Sequence, residues 1–136
     1  MFGMSVREAA RGYGPLGMRR YGETKLMNIL FTRELARRLE GSGVTVNAVH
    51  PGSVTTNLGQ PPKEFAAVSS RFLRTPAEGA VTSVVVATDS SLAGVTGGYF
   101  MNGKQADRKL SRQARDDGLA SALWKHSEQL TDYHHS

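Results

Sequence analysis

Apolar positions recur along this chain in two alternating periods, one suited to helices and one to strands. From about Arg19 to Glu40 no proline intervenes, and Leu26, Ile29 and Leu30 share one stripe that Phe31, Leu35 and Leu39 continue at four-residue steps. That spacing predicts a helix. Glu34 and Arg38 are expected to pair on its wet side, and Gly41 and Gly43 to stop it. Val44 to Val49 is short and β-branched, predicts a buried strand, and ends abruptly at His50-Pro51-Gly52. Pro61-Pro62 marks a loop before a short amphipathic helix carrying Phe65, Val68 and Phe72. Thr75-Pro76-Ala77-Glu78 joins a capping box to a proline in the first helical position, and so predicts a helix running to about Asp89. Gly97-Gly98-Tyr99-Phe100-Met101 predicts a second strand entered through glycines. A last helix, from about Arg112 to Leu130, carries Leu119, Leu123 and Leu130, with Gly118 as its weak point. Strands spaced by helices of this length predict an α/β fold built on a parallel sheet. Two parallel strands do not make a stable sheet by themselves, so the pattern is expected to belong to a larger one.

Composition narrows the function classes. A chain of 136 residues leaves room for one domain, and 39% hydrophobic with 21% charged residues describes an ordinary globular chain. With no cysteine, a disulfide scaffold, a thiolate zinc site and a cysteine nucleophile are excluded. The net charge of +5 is dispersed over pairs such as Arg19-Arg20, Arg37-Arg38 and Arg108-Lys109. No run reaches the about five to eight basic residues of a nucleic-acid patch, so no nucleic-acid partner is expected. The longest strongly apolar stretch, Val84 to Ala87, is far too short to be a transmembrane segment. Met1-Phe2-Gly3-Met4 lacks the apolar core of an export signal, and an intracellular location is expected. His134 and His135, adjacent in a polar tail, do not make a metal site without further ligands.

Candidate chemistry begins with Tyr21 and Lys25, four residues apart and therefore on one helix face. A free phenol, with a pKa of about 10, is a poor acid or base at neutral pH. A nearby ammonium favours the phenolate, and the pair is then expected to exchange a proton with an alcohol or carbonyl oxygen. Taken alone, a packed tyrosine beside a solvated lysine is the better account of two such residues. Their neighbourhood changes this: Tyr21-Gly22-Glu23-Thr24-Lys25-Leu26 leads into the long helix, then the strand Val44 to Val49, then His50-Pro51-Gly52-Ser53-Val54-Thr55-Thr56.

With these phrases, and with Gly94-Val95-Thr96-Gly97-Gly98-Tyr99-Phe100 further on, the sequence resembles the short-chain dehydrogenase/reductase family, most closely its retinol-dehydrogenase-like branch. The likeness runs from about Tyr21 to Leu130. It implies the C-terminal part of a Rossmann-like doubly wound parallel sheet, with the N-terminal cofactor-binding half missing. It also implies hydride transfer between NAD or NADP, NADP being favoured, and a hydrophobic alcohol or carbonyl such as a retinoid, a long-chain aldehyde or a steroid. By resemblance Tyr21 is the catalytic acid/base, and Lys25 assists it and binds the nicotinamide ribose. Pro51 and Gly52 line the nicotinamide, while Val54 and Thr56 hold its carboxamide. Ligands of open α/β sheets bind beyond the carboxyl ends of strands, where Pro51-Gly52 falls, and a glycine there is expected to let a flat ring approach the backbone. Phe65, Val68 and Phe72 fall where the family's substrate lid lies, and suit either an apolar lid or a plain core helix. A homo-oligomer is compatible with the family pattern.

Gly12-Tyr13-Gly14-Pro15-Leu16-Gly17 fits G-x-G-x-x-G, but no strand precedes it and Arg37-Arg38 stand where an acidic residue is required. It is expected to be part of a loop, about residues 1–18, leading into the catalytic helix, since Pro15 suits a loop better than a helix start. Residues 1–136 are accordingly taken as one partial domain with a polar tail from about 131. The family's glycine-rich cofactor loop is absent, and Ser5, the only serine before Tyr21, does not lie in an apolar strand like the family's catalytic serine. A second class therefore stays open, a truncated non-catalytic form acting through protein contacts. His50 is expected to pack or be solvated, and Trp124 to belong to a core or an interface.

Overall fold

The computed structural model describes residues 15–54 and 74–131. Ser5, Gly12, Thr56, the segment with Phe65, Val68 and Phe72, and the tail with His134 and His135 lie outside the described residues.

Helix α1, Pro15–Arg38, begins four residues before the expected Arg19, with proline at its first position. Residues 15–18 are therefore helical rather than loop, because a proline at the first helical position forfeits an N–H that has no helical partner anyway. Arg37 and Arg38 occupy the last turn, where cations complement the helix dipole. Strand β1, Ala48–His50, follows. Helix α2, Pro76–Thr88, has the expected capping box: the Thr75 hydroxyl accepts from the Glu78 N–H, and the Glu78 carboxylate accepts from the Thr75 N–H. Strands β2, Tyr99–Met101, and β3, Lys104–Gln105, precede helix α3, Asp117–Thr131.

The three strands form one sheet in the order β1-β2-β3. β1 and β2 are parallel, with Ala48 opposite Tyr99 and His50 opposite Met101. β2 and β3 are antiparallel, joined by Asn102-Gly103 with φ of 55° and 71°. Asn-Gly is a strong hairpin signal because both residues tolerate the left-handed backbone of a tight turn. The sequence reading passed over it. The α/β order and the parallel β1–β2 pair agree with a portion of a Rossmann-like sheet, which β3 makes mixed.

β1 is shorter than the expected strand from Val44 to Val49, and less buried. The Thr96 hydroxyl accepts the Val46 N–H, and the Asn47 side-chain amide bonds both the Val95 carbonyl and the Gly98 N–H. Side chains thus stand where ladder bonds would run. Val44 is 55% exposed. The last helix also differs: a short 3-10 turn, Gln113–Arg115, comes first, and α3 starts afresh at Asp117. The Asp116 carboxylate accepts the Leu119 N–H and so caps this new start.

The helical layer is held by α1 against α3. Phe31 stacks on Trp124 with ring centroids 5.3 Å apart, and the Arg38 guanidinium lies 4.5 Å from the Trp124 ring centroid. Glu34, expected on the wet side, is only 1% exposed. It accepts from Arg37 at 2.7 Å and from Arg38 at 2.8 Å. Burial pushes its carboxyl up, but the hydrogen bonds and charges of the two arginines outweigh burial and hold it below its ordinary value. The helix-spacing rule placed the pair correctly; packing of α3 turned its surroundings inward. Leu30, Ala36, Phe100, Leu110, Ala114 and Ala120 complete a small apolar core. Among the described residues, no helix is long and apolar enough to cross a membrane.

Candidate active site

Tyr21 and Lys25 project from α1 one turn apart, as their spacing requires. Tyr21 is 42% exposed. The Lys25 Nζ lies 5.2 Å from the centroid of the Tyr21 ring, within reach of a cation–π attraction. The Thr24 hydroxyl donates to the Tyr21 carbonyl at 2.8 Å, and Arg19 pairs with Glu23 at 3.2 Å. These local bonds occupy the polar groups around the pair with one another.

β1 packs against both α1 and α2. Its carboxyl end runs into Pro51-Gly52, where Gly52 takes a φ of 84°. The His50 Nδ1 accepts the Gly52 N–H at 2.9 Å, while the His50 ring meets Tyr99 edge-on. His50 is exposed and in ring contact with Tyr99, as expected, and it also shapes the turn. A Cβ built on Gly52 would lie 3.0 to 3.2 Å from the Cδ, Nε and Cζ of Arg74. The space on the Cβ side of this glycine is thus filled by the Arg74 guanidinium and its stem.

Arg74 also donates from Nη2 to the Asn102 Oδ1 at 2.9 Å, and its Nη1 lies 3.5 Å from the Pro51 carbonyl. Its backbone N–H donates to the Ser53 carbonyl at 2.8 Å, beside a parallel bridge between Val54 and Arg74. Val54 in turn abuts Gly79 of α2, where a Cβ would come within 2.5 Å of the Val54 Cγ2. Next to Arg74, the hydrogen bonds from the Thr75 backbone and hydroxyl hold the Glu78 carboxyl below its ordinary value. Asn102 also lines a cleft of about 560 Å³, together with Met101, Lys104, Asp107, Arg108 and Lys109.

The structure thus groups the expected residues into two sets, Tyr21 with Lys25 on α1, and Pro51, Gly52 and Val54 at the end of β1. Sequence reasoning missed three residues around the second set. His50 had its adjacency to the turn as a signal, and Asn102 had its Asn-Gly pair. Arg74 had none, because its partners lie 23 and 28 residues away along the chain. Among the described residues, no three His, Asp or Glu gather as metal ligands.

A family model described as enoyl-(acyl carrier protein) reductase matches residues 3–97. Retinol dehydrogenase 14 of Homo sapiens is 48% identical over 115 residues, covering 79% of this chain and 34% of that protein. Retinol dehydrogenase 12 of Homo sapiens is 41% identical over 129 residues, covering 93% and 38%. Retinol dehydrogenase 11 of Homo sapiens is 42% identical over 107 residues, covering 76% and 33%. The chain spans about a third of the length of the relatives it matches.

Proposed function

The chain belongs to the short-chain dehydrogenase/reductase family, and on that premise we propose that it carries the proton-transfer pair of a nicotinamide-dependent oxidoreductase. The observation that carries this reading is the Lys25 ammonium held over the ring of Tyr21, with both side chains open to solvent. Such exposure suits the pair to a nucleotide ribose and a substrate carbonyl, which must both reach it. A bound nicotinamide supplies or takes up the hydride. The Tyr21 hydroxyl donates a proton to the carbonyl oxygen as negative charge grows there, and in the reverse direction the phenolate accepts it from the alcohol. Lys25 offsets the negative charge left on Tyr21 and offers ammonium donors to the ribose hydroxyls. Pro51, Gly52 and Val54, with Thr56 beyond the described residues, flank the nicotinamide.

The substrate in this reading is a hydrophobic alcohol or carbonyl of the retinoid, long-chain aldehyde or steroid kind. NADP(H) is placed ahead of NAD(H). Both assignments rest on the likeness to retinol dehydrogenases. Incubated with NADPH and retinal or a long-chain aldehyde, the purified chain should oxidise the cofactor, and the Tyr21→Phe variant should not. NADH run in parallel ranks the two cofactors. Absence of both turnover and calorimetric cofactor binding would overturn the proposal and leave the non-catalytic alternative.

A further inference from the structure

We infer that Arg74, seated on Asn102, is a positioning residue that sets the Pro51–Gly52 turn for the nicotinamide; the inference rests on the reading above that this turn faces the cofactor. Three observations converge on it. The guanidinium and its stem fill the space beside Gly52 within 3.0 to 3.2 Å of where a side chain would begin. One end of the guanidinium is fixed by the Asn102 Oδ1 at 2.9 Å, while the other faces the Pro51 carbonyl at 3.5 Å. The arginine backbone is tied to the same loop through the Ser53 carbonyl at 2.8 Å.

The anchor is itself built with care for backbone geometry. Asn102 is the one non-glycine residue with positive φ among the described residues, at 55°, and asparagine tolerates that conformation better than most side chains. The left-handed backbone that closes the β2–β3 hairpin places its side chain where Arg74 reaches it. A planar guanidinium with several fixed donors suits this bridging, whereas a lysine ammonium is a single point charge. The His50 Nδ1 also holds the Gly52 N–H. The turn is thus held by an acceptor, the His50 ring nitrogen, and by a cation that is itself tied to the β2–β3 hairpin. Such anchoring matters because a displacement of about 1 Å at a reacting group costs orders of magnitude in rate.

The test uses the whole chain, with Arg74→Met, Asn102→Gly and Asn102→Asp beside the unaltered protein. Glycine keeps the turn's backbone and removes only the acceptor; aspartate keeps an acceptor oxygen. Amide exchange at Gly52 should quicken about fivefold in Arg74→Met and in Asn102→Gly, as expected for loss of one exposed charge-assisted hydrogen bond, and return in Asn102→Asp. NADPH affinity by calorimetry should fall about as much in the first two variants and recover in the third, with thermal midpoints unchanged in Asn102→Gly. Unaltered Gly52 exchange in Asn102→Gly would overturn the clamp. Quickened exchange with unaltered NADPH affinity would overturn its positioning role. If the unaltered chain binds no NADPH, the cofactor reading fails and the positioning role with it, while the exchange measurement still decides whether the clamp exists. Should Arg74→Met not fold, Asn102→Gly carries the same comparison.

Discussion

Replacing Gly79 by alanine tests how the turn after β1 is packed on α2. In an ordinary helix interior the change stabilises by up to about 1 kcal/mol, because alanine has less backbone freedom to lose. Here the new Cβ would sit 2.5 Å from the Val54 Cγ2, with Val54 Cγ1 at 3.4 Å and Val54 Cβ at 3.6 Å. Carbon atoms prefer about 3.5 to 4.0 Å, so α2 must shift or Val54 must leave its rotamer. Overpacking of this kind costs about 1 to 3 kcal/mol, which exceeds the helix gain. Gly79→Ala should therefore destabilise the chain by about 1 kcal/mol. In a Val54→Ala background both Cγ atoms are gone and the nearest remaining contact, 3.6 Å, is ordinary. There the same substitution should stabilise by up to about 1 kcal/mol, giving a coupling of about 2 kcal/mol. Urea unfolding of the four proteins, followed by far-ultraviolet circular dichroism and by Trp124 fluorescence, measures this, provided the slopes agree. A gain of equal size in both backgrounds would refute the packing argument. Because Val54 is proposed to hold the carboxamide, the single variant should also weaken NADPH binding where Gly79→Ala displaces it.

Two further outcomes follow from charges. Glu34→Gln should cost about 1 to 3 kcal/mol at neutral pH, since both arginines lose an ionic partner that is buried between them. As the Glu34 carboxyl is held below 4.5 in the fold, the unfolded chain takes up its proton first. Its contribution is thus complete above about pH 4.5 and fades as pH falls through the lower folded value, so the gap between the two proteins should close in acid urea titrations. A gap constant with pH would show that the charge is irrelevant. Burial pushes the Tyr99 phenol above 10.0, so Tyr99→Phe should remove a phenolate absorbance transition lying above pH 10, and stability owed to the neutral phenol should decline as pH rises past 10. Loss of a transition below pH 10 would contradict this.

Much of the fold was legible because its signals are local. The capping box at Thr75 and Glu78 forms within a single turn, and its side chains find their partners whatever packs outside. The spacing of Tyr21 and Lys25 decides that they share a face once α1 forms. Reading α1 four residues short came from treating Pro15 as a breaker when the first helical position tolerates it. β3 was missed although Asn102-Gly103 announced a hairpin, because two residues of strand leave no periodicity to read. The length assigned to β1 failed for another reason: Asn47 and Thr96 place side-chain bonds where a ladder would run, and those partners are about fifty residues apart.

The sequence by itself determined the order of α1, β1, α2, β2 and α3, the capping box at Thr75 and the placement of a tyrosine–lysine pair on one face. These depend on interactions among residues a few positions apart, which any chain of this sequence makes once the local element forms. Only the tertiary structure decided that Glu34 is buried between two arginines, that Arg33 reaches Asp117 across 84 residues, and that Arg74 rather than open space stands beside Gly52. Such contacts depend on the distance and angle at which separate elements pack. That geometry is set by the summed shape of many side chains, and no single stretch of sequence contains it.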